Sequence, residues 1–190
     1  MNRRKFLKKM FYTTAGLYMT PLLGDWHLVD AALNVQVKES YLQFTSLTNR
    51  TVTDMIVMHH IGGSNREVTA AEVHQWHLNN GWAGIGYHYL IHQDGTIERG
   101  RPRDTIGAHC YGENDHTIGI NVVGEFDGAW PTAAQLDSAA RLLAVLCQIY
   151  RLHPDEGTIV GHRDLSSTAC PGQHLYDLLP DIRKKTATLV

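Results

Sequence analysis

The chain has 190 residues, which is enough for one domain with a hydrophobic core and leaves little room for a second. Its composition is that of a soluble globular protein, with 43% hydrophobic and 19% charged residues. The formal net charge is −2, and about −5 without the first 31 residues, so bulk charge excludes a nucleic-acid-binding protein. Twelve histidines favour metal or proton chemistry without locating it.

The first 31 residues have the pattern of an export signal and are expected to lie outside the globular domain. Positions 2–9, NRRKFLKK, carry five positive charges and no acid, and the mildly apolar run that follows is too short and weak to predict a stable membrane anchor. The pair Arg3-Arg4 resembles a twin-arginine signal, whose cargo crosses the membrane folded, and a general secretory signal is the alternative. With cleavage after Ala31, either route predicts a protein of the periplasm or cell-wall compartment.

Hydrophobic periodicity predicts five strands and three helices after a lead-in segment, residues 32–50, that shows no clear period. A capping box, Thr69 with Glu72, marks one helix start, and Gln93-Asp94-Gly95 predicts a hairpin turn. Because strands and helices interleave, we expect a single α/β domain, residues 51–185, with a central mixed sheet flanked by helices on both faces. The predicted strands are Asp54–His59, Gly86–His92, Thr96–Arg99, Thr117–Val123 and Thr158–Gly161, and the predicted helices are Thr69–Asn80, Thr132–Arg151 and His174–Lys184.

Three cysteines in an exported protein cannot all pair with one another. Cys147 falls at helical spacing within an amphipathic helix, which favours a buried core thiol, and Cys110 falls in a predicted loop. A bridge between these two is the open alternative. Cys170 then needs another protection from oxidation, and a bound metal would supply it.

Two histidines stand at predicted strand ends, His59 after the first strand and His162 after the fifth, with Cys170 in the loop behind His162. Adjacent strand ends in one sheet can bring the three together. Two imidazoles and one thiolate leave a fourth tetrahedral position open, which is the pattern of a catalytic zinc site. A single histidine at a strand end is more often only a hydrogen-bonded polar residue, so each of them alone indicates little.

The sequence His162-Arg163-Asp164 also fits part of a kinase catalytic loop, but that interpretation fails. The position that should hold a magnesium-binding asparagine is Ala169, and the chain has no Gly-rich loop or Asp-Phe-Gly motif. A zinc peptidase would need a motif of the type H-E-x-x-H, which is also absent from the sequence.

Four motifs carry a resemblance to a known family. In order and spacing, IVMHHIGGSN, QWHLNNGWAGIGYHYLIHQDGTIERGR, GAHCYGENDHTIGINVVGEF and VGHRDLSSTACPG resemble the zinc-dependent N-acetylmuramoyl-L-alanine amidases, in the branch of phage lysozyme-amidases and peptidoglycan recognition proteins. The resemblance covers about residues 52–178. It implies cleavage of the amide bond between the lactyl group of N-acetylmuramic acid and L-alanine in peptidoglycan or muropeptides, by water that one zinc ion per chain activates. Separately, we expect the protein to be a monomer.

The resemblance also implies roles for individual residues. The family's zinc ligands fall on His59, His162 and Cys170, its catalytic residues on Tyr87 and Thr168, and its substrate groove on Trp82, His109 and Asn114. His60 lies next to a ligand and is not expected to bind metal. A neighbouring branch has an aspartate ligand and a glutamate base where this chain has Cys170 and Asn121, so a carboxylate base is not evident.

Two alternatives stay open at this point. A peptidoglycan-binding module without activity would share the fold, although relatives of that kind lose the cysteine that Cys170 represents. Tyr87 could instead be a core aromatic that shares a strand face with Tyr89 and Ile91.

Overall fold

The computed structural model describes Leu33 and residues 35–190, so the predicted export signal lies outside the described residues. Within residues 35–190, six strands form one sheet in the order β1-β4-β3-β5-β2-β6. Neighbouring strands are parallel except β3 and β4, which pair antiparallel across the predicted hairpin turn. The strands are β1 Val37–Lys38, β2 Met55–His60, β3 Tyr89–Ile91, β4 Ile97–Arg99, β5 Thr117–Val122 and β6 Ile159–Gly161. The α-helices of the same residues are α1 Ala70–Asn79, α2 Ala133–Tyr150, α3 Gln173–Asp177 and α4 Leu179–Ala187.

Helices pack on both faces of this mixed sheet, which confirms the predicted α/β fold. Helix α1 begins with the predicted capping box of Thr69 and Glu72, and its Val73 packs in one buried cluster with Leu90 of β3. On the opposite face, strand residues such as Ile56 and Met58 are fully buried. There α2 contacts β3 and α4, and α4 contacts β6. Within residues 35–190, no helix combines the length and the apolar character that crossing a membrane requires.

The segment that we expected to be a lead-in without regular structure contributes to the sheet. Val37–Lys38 forms β1, which pairs parallel with β4 at the edge of the sheet. Farther along, Leu42 and Phe44 pack against the buried cluster under α1. A two-residue strand is too short to produce a detectable hydrophobic period, so the sequence pattern alone could not reveal it.

The second predicted strand is shorter than expected, because only Tyr89–Ile91 joins the sheet and Tyr87 lies in the loop before it. Gly86 lies so close to the next loop that a Cβ at this position would be 1.9 Å from the carbonyl oxygen of Ala108. The Ala108 N–H donates to the carbonyl oxygen of Gly86 at 3.2 Å. Gly86 thus pairs with the loop of Ala108 and not with a strand, while the His88 N–H still donates to the carbonyl oxygen of Gly119 in β5 at 2.9 Å.

The last predicted helix is two helices, α3 and α4, which meet at Leu178. Pro180 lies at the start of α4, where its missing N–H and fixed φ are tolerated. Because Pro180 has no N–H, it cannot continue the hydrogen-bond ladder of α3, which ends at Asp177.

Candidate active site

Two parallel strands deliver the two histidines to one edge of the sheet. Strand β2 pairs with β6 with Met58 beside Gly161, so the residues that follow, His59 and His162, lie at the same carboxyl edge. Their ring centroids are 4.6 Å apart. The sheet register therefore brings together two imidazoles that are remote in the sequence.

Cys170 reaches the same place through a loop that folds back on the turn carrying His162. The Arg163 N–H donates to the carbonyl oxygen of Cys170 at 2.9 Å, and the Arg163 guanidinium donates to the carbonyl oxygen of Ala169. The Cys170 Sγ atom consequently lies 3.6 Å from Nδ1 of His59.

The three side chains fit a metal ion. One ligand atom from each of His59, His162 and Cys170 lies within 4.8 Å of the others. At ordinary zinc–sulfur and zinc–nitrogen distances, two tetrahedral ligands are about 3.5 Å apart, which the sulfur–nitrogen distance to His59 matches. The donor set, two imidazoles and one thiol, is one that zinc accepts in proteins.

Asp164 stabilises the turn that carries His162, a role that sequence analysis did not assign. One of its carboxylate oxygens accepts from the Gly161 N–H at 2.8 Å, and the other accepts from the Tyr176 hydroxyl at 2.6 Å. The Arg and Asp that follow His162 thus hold the ligand turn and the cysteine loop. A His-Arg-Asp sequence directly after a predicted strand was the available signal.

Burial prepares the two histidines to bind a cation. It lowers the pKa of His59, helped by the nearby rings of His109 and His162, and it lowers the pKa of His162. Both rings are therefore neutral at neutral pH and keep a free lone pair. Burial raises the pKa of the Cys170 thiol to about 11, and a bound cation would offset this because it stabilises the thiolate.

Tyr87 lies beside the ligands and also packs against the buried cluster under α1. Its ring centroid is 5.1 Å from that of His59, and the side chain is half-buried. Desolvation raises the pKa of the hydroxyl, so Tyr87 keeps its proton and can donate it in a hydrogen bond.

His77 of α1 holds the loop that carries Tyr87, a role that the sequence pattern did not predict. Its Nδ1 accepts from the Gly86 N–H at 2.9 Å, and burial lowers its pKa to about 4, so the ring stays a neutral acceptor at neutral pH. Its ring also contacts Trp82, with centroids 4.6 Å apart. One helical histidine therefore orders two residues of the site.

Asn121 occupies the sheet position beside His59 and is fully buried. Its amide lies beside the Tyr87 hydroxyl, where it acts to lower the pKa of that phenol. Neither polar atom of Asn121 forms a hydrogen bond of ordinary geometry within residues 35–190. A buried amide in this state has spare hydrogen-bonding capacity beside His59 and Tyr87.

A cleft of about 400 Å³ opens next to the ligands and contains the predicted groove residues. Trp82 is 46% exposed there. The Asn114 side-chain oxygen accepts from the N–H groups of His109 and Cys110, at 2.8 and 3.0 Å, and so shapes the cleft wall. The lining residues are Trp82, Ala108, His109, Cys110, Tyr111, Asn114, His162 and Ser166.

Thr168, His60 and the other two cysteines lie outside the proposed ligand set. Thr168 is exposed, and its hydroxyl oxygen accepts from the Cys170 N–H at 3.2 Å. His60 points to the opposite sheet face, where its Nδ1 accepts from the Phe126 N–H at 3.2 Å. Cys110 and Cys147 are both buried and free, so the structure has no disulfide bridge between them.

Comparisons with known proteins agree with the fold and with the four motifs. Residues 48–173 match the family model Amidase_2, described as N-acetylmuramoyl-L-alanine amidase. An endolysin of Escherichia phage T7 is 35% identical over 130 residues, which cover 64% of this chain and 82% of the endolysin. Peptidoglycan-recognition protein SC2 of Drosophila melanogaster is 35% identical over 141 residues, which cover 70% of this chain and 74% of that protein.

Similarity to a solved structure extends over most of the domain. The N-acetylmuramoyl-L-alanine amidase LysC from Clostridium intestinale URNW superposes with a TM-score of 0.72 at 33% identity, over 80% of this chain and 97% of that chain. The family match runs from before β2 to beyond the loop of Cys170. The family predicted from the sequence motifs is thereby confirmed, and the chain belongs to the N-acetylmuramoyl-L-alanine amidases.

Proposed function

We propose that this amidase uses one zinc ion, held by His59, His162 and Cys170, to hydrolyse the bond between the muramic lactyl group and L-alanine in peptidoglycan. The observation that carries the proposal is the grouping of the three ligand atoms within 4.8 Å beside a cleft of about 400 Å³. When bound, zinc supplies Lewis-acid activation of water and of the amide carbonyl near neutral pH.

Tyr87 is proposed as the donor that stabilises the negative charge developing on the amide oxygen. It lies against His59, and its raised pKa keeps the hydroxyl proton in place for donation. A donor of this kind typically lowers a barrier by about 3 to 4 kcal/mol. Thr168, next to the cysteine loop, has a hydroxyl proton free to bond the attacking water or the departing amine, since its oxygen accepts from Cys170.

The cleft is proposed to bind the muropeptide through Trp82 and Asn114, with His109 forming part of its wall. A partly exposed indole supplies a flat apolar surface, and the Asn114 amide keeps its N–H groups for a ligand because only its oxygen is used by the loop. Peptidoglycan binding without cleavage is the second candidate. The Cys170 thiol at 3.6 Å from His59 favours the enzyme, because a metal-binding thiol serves no purpose in simple binding.

Removal of the metal should abolish activity. The full chain should contain close to one zinc ion, measured by elemental analysis, and should release peptides with new L-alanine amino termini from purified cell wall. A strong chelator should stop this release and added zinc should restore it, because the charge-stabilising centre is lost and regained. A zinc-free protein that remains active in chelator would contradict the proposal.

We further propose that the chain is exported by the twin-arginine route and acts as a monomer, without a stable anchor, in the periplasm or cell-wall compartment. Support comes from the run NRRKFLKK at positions 2–9, which lies outside the described residues. Export in the folded state would let the cell load zinc first, which protects Cys170 as a metal-bound thiolate.

Replacement of Arg3-Arg4 by Lys-Lys should block export and leave precursor inside the cell, since this route reads the arginine pair itself. Immunoblots of periplasmic and cytoplasmic fractions measure the distribution. A variant with Lys8 and Lys9 changed to Arg keeps the pair and serves as control. Unchanged export of the Lys-Lys variant would indicate the general secretory route instead.

A further inference from the structure

The two ring nitrogens of His59 have different neighbours. Nδ1 faces the proposed metal position, 3.6 Å from Sγ of Cys170, and Nε2 lies 3.1 Å from Nδ1 of His109. The two rings meet nearly edge to face, at 79° with centroids 5.1 Å apart. A neutral imidazole that binds a metal through Nδ1 must carry its proton on Nε2. His59 then donates to His109.

That donation determines the next proton as well. With Nδ1 of His109 accepting, its own proton lies on Nε2, which is 3.4 Å from the hydroxyl oxygen of Thr117. The Thr117 hydroxyl donates to the carbonyl oxygen of Glu113 at 2.6 Å and so presents only lone pairs to the ring. In this series of hydrogen bonds, from His59 through His109 and Thr117 to the carbonyl oxygen of Glu113, each group has one consistent role as donor and acceptor.

His109 is held rigidly enough to orient another side chain. It is only 8% exposed, and its backbone N–H donates to Asn114 at 2.8 Å. Its ring rests directly on Gly119 of β5, where a Cβ would lie 2.4 Å from a ring carbon. The glycine thus makes room for the ring, and the ring has little freedom to rotate.

We propose that His109 is a positioning residue that fixes the tautomer and ring orientation of His59 for metal binding, in addition to forming part of the cleft wall. The inference rests on the proposed zinc site. Metal-binding histidines generally need such a partner on the second nitrogen, and its loss typically weakens metal affinity about 10- to 100-fold. Because the partner is a neutral imidazole, it adds no negative charge beside the metal and leaves its Lewis acidity undiminished.

The test compares zinc affinity of full-length variants by competition with a chromophoric chelator. His109→Phe keeps a ring but removes both nitrogens, and zinc should bind about 10- to 100-fold more weakly. His109→Asn places an amide oxygen near the position of Nδ1 and should recover part of that loss. Thr117→Val removes the last acceptor, together with its hydrogen bond to Glu113, but leaves His109 in place and should have a smaller effect. Trp82→Ala changes the same cleft but leaves the hydrogen bonds of His59, His109 and Thr117 in place, so it should retain parent zinc affinity.

A second measurement uses the unaltered protein and therefore does not depend on any variant folding. Nitrogen-15 NMR of the zinc-loaded chain should show His59 metal-bound at Nδ1 and protonated at Nε2. Zinc bound through Nε2 of His59, or parent affinity in His109→Phe, would overturn the role of His109 alone. A parent protein that binds no zinc would instead refute the proposed metal centre, so the two failures are distinguishable.

Discussion

Replacement of Cys170 by serine should abolish hydrolysis while muropeptide binding survives. A serine hydroxyl stays protonated near neutral pH, so the change replaces an anionic sulfur ligand by a weak neutral oxygen. Zinc affinity should fall steeply, because the thiolate supplies the only negative charge among the three proposed ligands. Trp82 and Asn114 do not depend on that sulfur, so the cleft should still bind its ligand.

Three measurements on Cys170→Ser test this expectation: zinc content, release of L-alanine amino termini from cell wall, and a binding titration with a muramyl peptide. Cys147→Ala is the matched control, since it removes a buried thiol from α2 and should retain zinc and activity. Near-parent hydrolysis by the serine variant with zinc bound would show that Cys170 is not the third ligand.

Replacement of Tyr87 by phenylalanine should lower kcat about a hundredfold or more, with zinc content and KM little changed. The variant removes one hydroxyl and almost no volume from a half-buried ring. Only an interaction that strengthens in the transition state is lost, because the hydroxyl is proposed to act on the charge developing at the amide oxygen.

Steady-state kinetics on a soluble muropeptide measure the effect. Tyr89→Phe is the control, because it makes the same chemical change two positions away, on a buried ring under the Arg99 guanidinium. It should leave kcat near that of the parent. Activity of Tyr87→Phe within about twofold of the parent would assign Tyr87 to packing alone.

The elements that sequence analysis predicted well are those encoded within a few consecutive residues. The capping box of Thr69 and Glu72, the hairpin turn after His92 and the long amphipathic helix each depend on local periodicity or turn chemistry. The spacing of His162 and Cys170 is local in the same sense, because one turn and its loop hold both residues. The family resemblance added the expected roles of Tyr87, Thr168 and the groove residues.

Tertiary structure alone decided which side chains meet across strands and loops. Strand β1 forms by pairing with the edge strand β4, and β3 begins only at Tyr89, after the close contact of Gly86 with Ala108.

The sequence by itself determined the α/β class, the family and the chemical types of the proposed ligands, because those depend on residue identity and local spacing. The direction in which each imidazole of the site points was decided only by the tertiary structure. The pairs of His59 with His109, and of His77 with the Gly86 N–H, follow from sheet register and helix placement. The physical reason is that a hydrogen bond needs two groups within about 3 Å, a distance that no local pattern in one chain segment specifies.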